Sequence, residues 1–200
     1  MTLTAMLLAG GCSRRMGRDK ATLVFDGEPL WQRQLRALRK LPPTVLWVSG
    51  RTRPVWCPPE LEIVLDEPPS RGPLSGLGAG LSRLQTSHLL VLAIDLPRVP
   101  VVHLRKLWSL AEPGKAVIPL NEDYFEPLCA VYPAEASPIA QQALSSGDFS
   151  LQHLAKSLVS TSLGRAYAVP PQERPFYLNL NTPADLPAKK LYGHDVNRKT

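Results

Sequence analysis

Short apolar runs alternate along the chain with segments in which apolar residues recur at helical spacing. The runs predict strands and cover residues 4–8, 45–49, 62–65, 89–94, 116–120, 128–132 and 166–169. The helical segments cover residues 29–41, 72–84, 101–110, 137–144 and 151–158, and a final helix is predicted after Pro183. Strands separated by helices predict an α/β sheet that is mainly parallel, with right-handed crossovers.

Turn-forming residues support these boundaries. Ser137 and Ser150 each stand at the start of a helical segment and are predicted to cap it, with Pro138 at a first helical position. The 21 prolines cluster at the joints between elements, which indicates loops rather than disorder. We place a single domain at residues 1–192, followed by a polar tail at 193–200 that is expected to fray.

Charge is distributed unevenly along this domain. The net charge is +6, and the first 53 residues alone hold ten Lys/Arg against three Asp/Glu, a balance of 10 − 3 = +7. A basic N-terminal third favours anionic ligands. The basic residues do not alternate with aromatic ones, and no nucleic-acid-binding motif is present, so nucleic acid is not the predicted ligand.

Cysteine and histidine usage gives no sign of a disulfide or metal framework. Three widely spaced cysteines, Cys12, Cys57 and Cys129, imply no disulfide set, and no Cys or His pair has metal-ligand spacing. No apolar run is long enough to span a bilayer, and the N-terminus lacks the basic region of a signal peptide. We therefore expect a cytoplasmic protein that does not bind membranes.

The segment after the first strand, residues 8–20, has the sequence LAGGCSRRMGRDK. Gly10 and Gly11 allow the backbone to approach a ligand closely, and the N–H groups of such a turn form an anion-binding concavity. Arg15 and Lys20 add cationic side chains suited to a triphosphate, and we rank Arg14 below them. The loop therefore predicts a phosphate site.

Two common phosphate motifs do not describe this loop. A Walker A loop requires lysine directly after its second glycine, where this chain has Arg18, and no stretch satisfies the dinucleotide pattern G-x-G-x-x-G. The second glycine-rich stretch includes Gly78 and Gly80, which we interpret as small residues that allow close helix packing.

Three polar residues stand at or just after the carboxyl ends of other predicted strands, where ligands bind in α/β sheets. They are Ser49, Asp66 and Asp95. Asp95 directly follows a buried strand, where a carboxylate is costly unless it is paired or metal-bound. Asp66 can be explained more simply as the residue that ends a strand. Asp19, which lies beside Lys20, can be explained as the cap of a turn.

The loop resembles the signature L-A-G-G-x-S-x-R-M-G-x-D-K of the molybdenum cofactor guanylyltransferases, with every specified position met. Residues 72–76 (GPLSG), 95–97 (DLP) and 179–186 (NLNTPADL) resemble that family's later blocks in the expected order. The resemblance covers most of the chain. It implies a Rossmann-like three-layer sandwich with a mostly parallel central sheet, of the nucleotide-diphospho-sugar transferase type.

The resemblance also implies an activity, which is the transfer of GMP from GTP to molybdopterin with release of pyrophosphate. Magnesium would be the cofactor, and proteins that deliver the molybdenum cofactor would be further partners. Arg15 and Lys20 would neutralise the phosphates, and Asp95 would hold Mg²⁺. The remaining nucleotide contacts would come from Leu8, Ala9, Gly10, Gly11, Ser49 and Asp66, and the pterin substrate would meet Asn179 and Asn181.

Several alternatives stay open. Molybdopterin cytidylyltransferases usually have L-A-A-G, so Gly10-Gly11 favours guanine, whereas Ser75 stands where guanylyltransferases more often have alanine. Sugar-phosphate nucleotidyltransferases are usually longer. A non-catalytic nucleotide-binding domain would lack the carboxylate of Asp95. The segment that begins at Glu126 is a possible pocket contact, and Cys12 is given no role.

Overall fold

The computed structural model describes residues 1–9, 19–66, 70–180 and 185. The strands are β1 (Leu3–Leu8), β2 (Val24–Phe25), β3 (Glu28–Pro29), β4 (Val45–Gly50), β5 (Glu62–Leu65), β6 (His88–Ala93), β7 (Ala116–Asn121), β8 (Tyr124–Phe125), β9 (Cys129–Pro133) and β10 (Gly164–Ala168). The helices are α1 (Leu30–Arg39), α2 (Pro73–Ser82), α3 (Val101–Ser109), α4 (Ser137–Ser146) and α5 (Leu151–Ser160), with 3₁₀ segments at Lys20–Thr22, Ala134–Ala136 and Pro171–Tyr177.

The main sheet has the strand order β10-β7-β9-β6-β1-β4-β5, and β8 pairs with β7. The neighbours β6-β1-β4-β5 are all parallel, as are β10 and β7, whereas β9 is antiparallel to both β6 and β7. The prediction of a mainly parallel α/β sheet is confirmed. The reversed direction of β9 was not predicted.

Helices cover both faces of this sheet. Alternate residues of β1 enter different apolar clusters, because side chains of a strand point to opposite faces. Ala5 and Leu7 pack with residues of α1 and α3, and Met6 and Leu8 pack with residues of α2, α4 and α5. Strand β6 is buried along its whole length, as a strand covered on both faces should be. The three-layer fold class is therefore confirmed.

The small residues of α2 allow the close packing that we expected. A Cβ atom at Gly78 would lie 2.7 Å from Leu144 Cδ1 on α4, and one at Gly80 would lie 2.7 Å from Met6 Cε on β1. These two glycines thus let α2 sit tightly between the sheet and α4.

The predicted helix caps have different outcomes. Ser150 caps α5 as predicted, since its Oγ accepts a hydrogen bond of 3.3 Å from the His153 backbone N–H. The prediction that Ser137 caps α4 is wrong. The 3₁₀ turn of Ala134–Ala136 leads directly into α4, so Ser137 is the first residue of the helix. Ala136 occupies the capping position and has no side chain that could cap the helix.

A short hairpin formed by β2 and β3 was also not predicted. It turns at Asp26 and Gly27, both with positive φ (49° and 81°). An Asp-Gly pair is a strong hairpin signal, so the sequence did contain the information. Within the described ranges, no helix has the length and apolar character needed to cross a bilayer. The helix predicted after Pro183 and the tail 193–200 lie outside the described residues.

Candidate active site

A cavity opens at the carboxyl edge of the central strands, where the predicted strand-end residues meet. Six predicted site residues line it, together with seven others: Leu8, Ala9, Lys20, Ser49, Asp66 and Asp95, with Asp19, Gly72, Pro73, Gly76, Ala93, Ile94 and Leu128. Asn179 is exposed and does not line the cavity. Gly10, Gly11, Arg15 and Asn181 lie outside the described residues.

Parallel pairing explains why these residues meet. Leu8 at the end of β1 stands beside Ser49 of β4 on one side and Ala93 of β6 on the other. The pairing continues just beyond the strands, since Ala9 N–H donates to Ser49 O at 3.1 Å and Ile94 N–H donates to Leu8 O at 3.1 Å. The loops that follow the neighbouring strands β4, β1 and β6 therefore leave the sheet side by side.

Lys20 and Asp95 form an ion pair in the cavity, with 3.2 Å between Lys20 Nζ and Asp95 Oδ2. Their side chains are 20% and 25% exposed, so both groups are largely withdrawn from water yet reachable by a ligand. Asp19 caps the 3₁₀ turn that begins at Lys20 by accepting a hydrogen bond from the Ala21 backbone N–H at 3.0 Å. The predicted capping role of Asp19 is confirmed.

The turn that carries Asp95 is held from two directions. Gln34 of α1 donates from Nε2 to the carbonyl oxygens of Ala93 (3.1 Å) and Leu96 (2.9 Å). On the other side, the Leu180 backbone N–H donates to Asp95 O at 2.9 Å. This bond brings the residue next to Asn179 beside the carboxylate-bearing turn.

Gln34 is a site-supporting residue that sequence reasoning missed. It is fully buried in α1, among positions that are otherwise occupied by Leu30, Leu35 and Leu38. A buried amide is costly unless it is hydrogen-bonded. A glutamine on the apolar side of an amphipathic helix was therefore the signal that could have found it.

Asp66 stands on the opposite wall of the cavity, and its carboxylate is fixed by two hydroxyl groups. Ser49 Oγ donates to Asp66 Oδ1 at 3.4 Å, and Ser70 Oγ donates to Oδ2 at 2.8 Å. The hydroxyl of Ser49 is thereby oriented toward the same wall.

The segment GPLSG contributes two glycines for different reasons. Gly72 precedes α2 with φ of 87°, a conformation that other residues rarely adopt. A Cβ atom at Gly76 would lie 2.6 Å from Ser49 Oγ and 3.2 Å from Asp66 Oδ1, so only glycine fits there without displacing the wall. Sequence reasoning gave Gly76 no role of its own.

Ser75, which stands where guanylyltransferases more often have alanine, does not line the cavity. Its buried hydroxyl accepts a hydrogen bond of 2.8 Å from the Arg71 backbone N–H. The serine therefore fixes the turn before α2, and its presence in place of alanine has a structural explanation.

Glu126 also lies away from the cavity lining, although Leu128 belongs to it. Burial raises the pKa of the Glu126 carboxyl, partly offset by a 3.3 Å hydrogen bond that Asn121 Nδ2 donates to it. His88 and His103 are buried core residues, as expected from their isolation in the sequence. The described residues contain no group of three or more His, Cys, Asp or Glu arranged to hold a metal ion.

The donor set of the cavity nevertheless suits Mg²⁺ bound together with a phosphate ligand. Magnesium prefers oxygen ligands and is commonly held by one or two carboxylates plus substrate phosphates and water. Asp95 supplies one such carboxylate, and Lys20 supplies a cation for phosphate oxygens in the same lining. The cavity combines both kinds of charge that a nucleoside triphosphate with its cation requires.

Comparison with known proteins points to one family. Residues 5–163 match the family described as MobA-like NTP transferase domain. The chain is similar to the probable molybdenum cofactor guanylyltransferase of Opitutus terrae, with 37% identity over 92% of each chain. It is also similar to the molybdenum cofactor guanylyltransferase of Pseudomonas fluorescens, with 34% identity over 89% of this chain and 88% of the other.

Solved structures agree with this. The molybdopterin-guanine dinucleotide biosynthesis protein A of Archaeoglobus fulgidus superposes with a TM-score of 0.68 at 26% identity, over 91% of this chain and 94% of the other. A nucleotidyl transferase of Methanothermobacter thermautotroptrophicus superposes with a TM-score of 0.72 at 17% identity, over 92% and 94%. The second likeness shows the shared fold.

Proposed function

We propose that this chain, which belongs to the family of MobA-like NTP transferase domains, transfers GMP from GTP to molybdopterin. The products are pyrophosphate and the guanine dinucleotide form of the cofactor. The names of the curated relatives support this choice of base and acceptor. The observation that carries the proposal is the pairing of Lys20 with Asp95 in a cavity at the carboxyl edge of the sheet.

The reaction requires little covalent chemistry from the protein. An oxygen of the acceptor's terminal phosphate forms a bond to the α-phosphorus of GTP. The bond from that phosphorus to the bridging oxygen breaks, and pyrophosphate leaves with the electron pair. Such a displacement depends on positioning and charge neutralisation, and Lys20 provides one positive charge at the site.

We assign the other residues by their place in the cavity and the motif. Asp95 would hold Mg²⁺, which when bound neutralises phosphate charge. Leu8 and Ala9 would present backbone groups to the nucleoside together with Gly10 and Gly11, and Ser49 and Asp66 would add further contacts. Arg15 would assist Lys20, and the segment from Asn179 to Asn181 would meet the pterin. The cytoplasm is the expected compartment.

A nucleotide panel tests the choice of base. The purified chain is supplied with molybdopterin, Mg²⁺ and either GTP, CTP, ATP or UTP, and pyrophosphate release is measured. We expect release with GTP alone. Turnover with CTP but not with GTP would disprove the guanine assignment.

Matched variants test the role of the carboxylate. We expect Asp95→Asn to lower turnover by at least about a hundredfold, because one preorganised charge at a phosphoryl-transfer site has effects of that size. Asp26→Asn is the control, since Asp26 is an exposed turn residue with positive φ, which asparagine tolerates. Equal turnover in the two variants would contradict the assignment of Asp95.

A further inference from the structure

The loop between β4 and β5 carries an aromatic residue that contacts the end of the glycine-rich segment 8–20. Trp56 Nε1 donates a hydrogen bond of 2.8 Å to Asp19 Oδ2. The Trp56 ring also stacks on Trp31 at the start of α1, with 5.7 Å between ring centroids and 22° between the planes. Trp56 thus connects this loop to α1 and to Asp19.

The loop that presents Trp56 is itself held firmly. The Arg53 guanidinium donates to the carbonyl oxygens of Pro58 (3.3 Å), Pro59 (3.1 Å) and Leu61 (2.8 Å). Cys57, next to Trp56, is buried in the apolar cluster that α1 covers. These hydrogen bonds and the buried side chain of Cys57 hold the loop in position around Trp56.

Asp19 uses its two carboxylate oxygens for two different tasks. Oδ2 accepts from Trp56, and Oδ1 accepts from the Ala21 N–H and so caps the 3₁₀ turn of residues 20–22. Lys20 is the first residue of that turn, and its Nζ lies 3.2 Å from Asp95 Oδ2. The direction of the Lys20 side chain therefore depends on a turn that Trp56 anchors through Asp19.

We infer that Trp56 is a positioning residue for Lys20. It does not line the cavity, whereas Asp19 and Lys20 do, so it acts through Asp19. Lysine has a long side chain with much rotamer freedom, and holding its turn in place in advance reduces the ordering that must accompany triphosphate binding. This inference rests on the proposed function, because it requires a triphosphate for Lys20 to meet.

The test compares two Trp→Phe variants. Trp56→Phe keeps a ring that can stack on Trp31 and removes the N–H donor. Trp108→Phe is the control, because Trp108 packs edge-on against His88 at the amino end of β6, far along the strand from the cavity. We expect Trp56→Phe to raise the KM for GTP by about fivefold, the size of the cost of ordering one long side chain on binding. The KM for molybdopterin and the melting temperature should match those of the control.

A double-mutant cycle with Asp19→Ala separates positioning from general loosening of the fold. If Trp56 acts through Asp19, Trp56→Phe should change the KM for GTP far less in the Asp19→Ala background than in the native one. Equal effects in both backgrounds would overturn the inference, whatever happens to the melting temperature.

The outcomes also distinguish the inference from the proposed function. Failure of the native protein to bind Mg²⁺-GTP in a calorimetric titration would overturn both. Normal binding and turnover by the native protein, with an unchanged KM for GTP in Trp56→Phe, would overturn the role of Trp56 alone.

Discussion

At the scale of single residues, the walls of the cavity are set by how closely α2 approaches β4. Gly76 is the point of contact, since a Cβ atom there would fall 2.6 Å from Ser49 Oγ and 3.0 Å from Leu8 Cδ2. Ser49 in turn orients Asp66. A single added methyl group at this point would therefore disturb three lining residues.

We predict that Gly76→Ala lowers the free energy of unfolding by about 1–3 kcal/mol, the usual cost of overpacking a tight contact. GTP binding should weaken as well, because the clash is relieved by displacing residues that line the cavity. Gly78→Ala is the matched control. Its Cβ would meet the flexible end of Leu144 on α4, away from the cavity. Both changes gain the same helix propensity, so calorimetric binding and urea unfolding measured on both variants isolate the local clash. Unchanged binding in Gly76→Ala would contradict this account of the wall.

The residues of the site differ in how far sequence could identify them. Lys20, Asp66 and Asp95 were predicted because they stand at the ends of strands or of a glycine-rich loop, where position in the chain fixes position in the fold. Gly76 and Trp56 could not be assigned in this way, because their roles arise from contacts with Ser49 and Asp19, which lie far away in sequence. Pairwise contacts of this kind leave no periodic pattern.

At the scale of elements, α1 both covers the sheet and holds the turn of Asp95. Strand β6 ends at Ala93, and in the turn that follows the Ala93 and Leu96 carbonyl oxygens accept bonds of 3.4 and 3.3 Å from the Leu96 and Val99 backbone N–H groups. Gln34 Nε2 adds a shorter bond to each carbonyl, of 3.1 and 2.9 Å. The side-chain Oε1 of Gln34 is buried and accepts no hydrogen bond from the described residues. Burial of this oxygen without a partner is unfavourable, whereas the two hydrogen bonds from Nε2 stabilise the turn that carries Asp95.

We predict that Gln34→Met lowers the free energy of unfolding by about 1–2 kcal/mol, because methionine fills a similar volume but removes the shorter hydrogen bond at each of the Ala93 and Leu96 carbonyls. Each carbonyl then keeps only a longer backbone bond, of 3.4 Å at Ala93 and 3.3 Å at Leu96. Loss of the buried Oε1 offsets part of that cost. Turnover should also fall, since Asp95 would be less well oriented. Gln32→Met on the exposed side of α1 should change stability by less than about 0.5 kcal/mol. Equal effects of the two changes, measured by urea unfolding and pyrophosphate release, would rule out this role for Gln34.

The strands and helices were predicted correctly where apolar residues recur regularly, but the direction of strand β9 was not predicted. The long strands and all five helices α1–α5 follow the apolar pattern. The antiparallel direction of β9 was missed, although the chain contains a reason for it. The connection from Asn121 to Cys129 is too short for a parallel crossover, which needs a dozen or more residues. Connection length, not hydrophobicity, determines this strand's direction.

At the scale of the whole molecule, two buried histidines make stability depend on pH. Burial lowers the pKa of His88 and of His103 below the ordinary value of 6.5. His103 Nε2 lies 2.6 Å from the Tyr177 hydroxyl. The nearby Glu173 carboxylate raises the pKa of His103, and Lys106 lowers it, but burial has the largest effect. Both histidines are thus favoured in the neutral form when the protein is folded.

The sign of the pH effect follows from this. Well above pH 6.5 both histidines are neutral in the folded and unfolded states and do not affect the free energy of unfolding. As the pH falls below 6.5, the unfolded chain takes up protons first, so the free energy of unfolding decreases. The slope is about 1.4 kcal/mol per pH unit for each proton taken up. We therefore expect lower stability in urea at pH 5.5 than at pH 7.5.

The double variant His103→Leu/Tyr177→Phe tests whether His103 is responsible for the loss of stability at low pH. It replaces both partners of a buried hydrogen bond with apolar groups, which avoids leaving either one unsatisfied. We expect it to lose less stability between pH 7.5 and 5.5 than the native protein. The remaining pH dependence should then come from His88, and a triple variant with His88→Gln should flatten it further. An unchanged slope in the double variant would show that His103 is not the source.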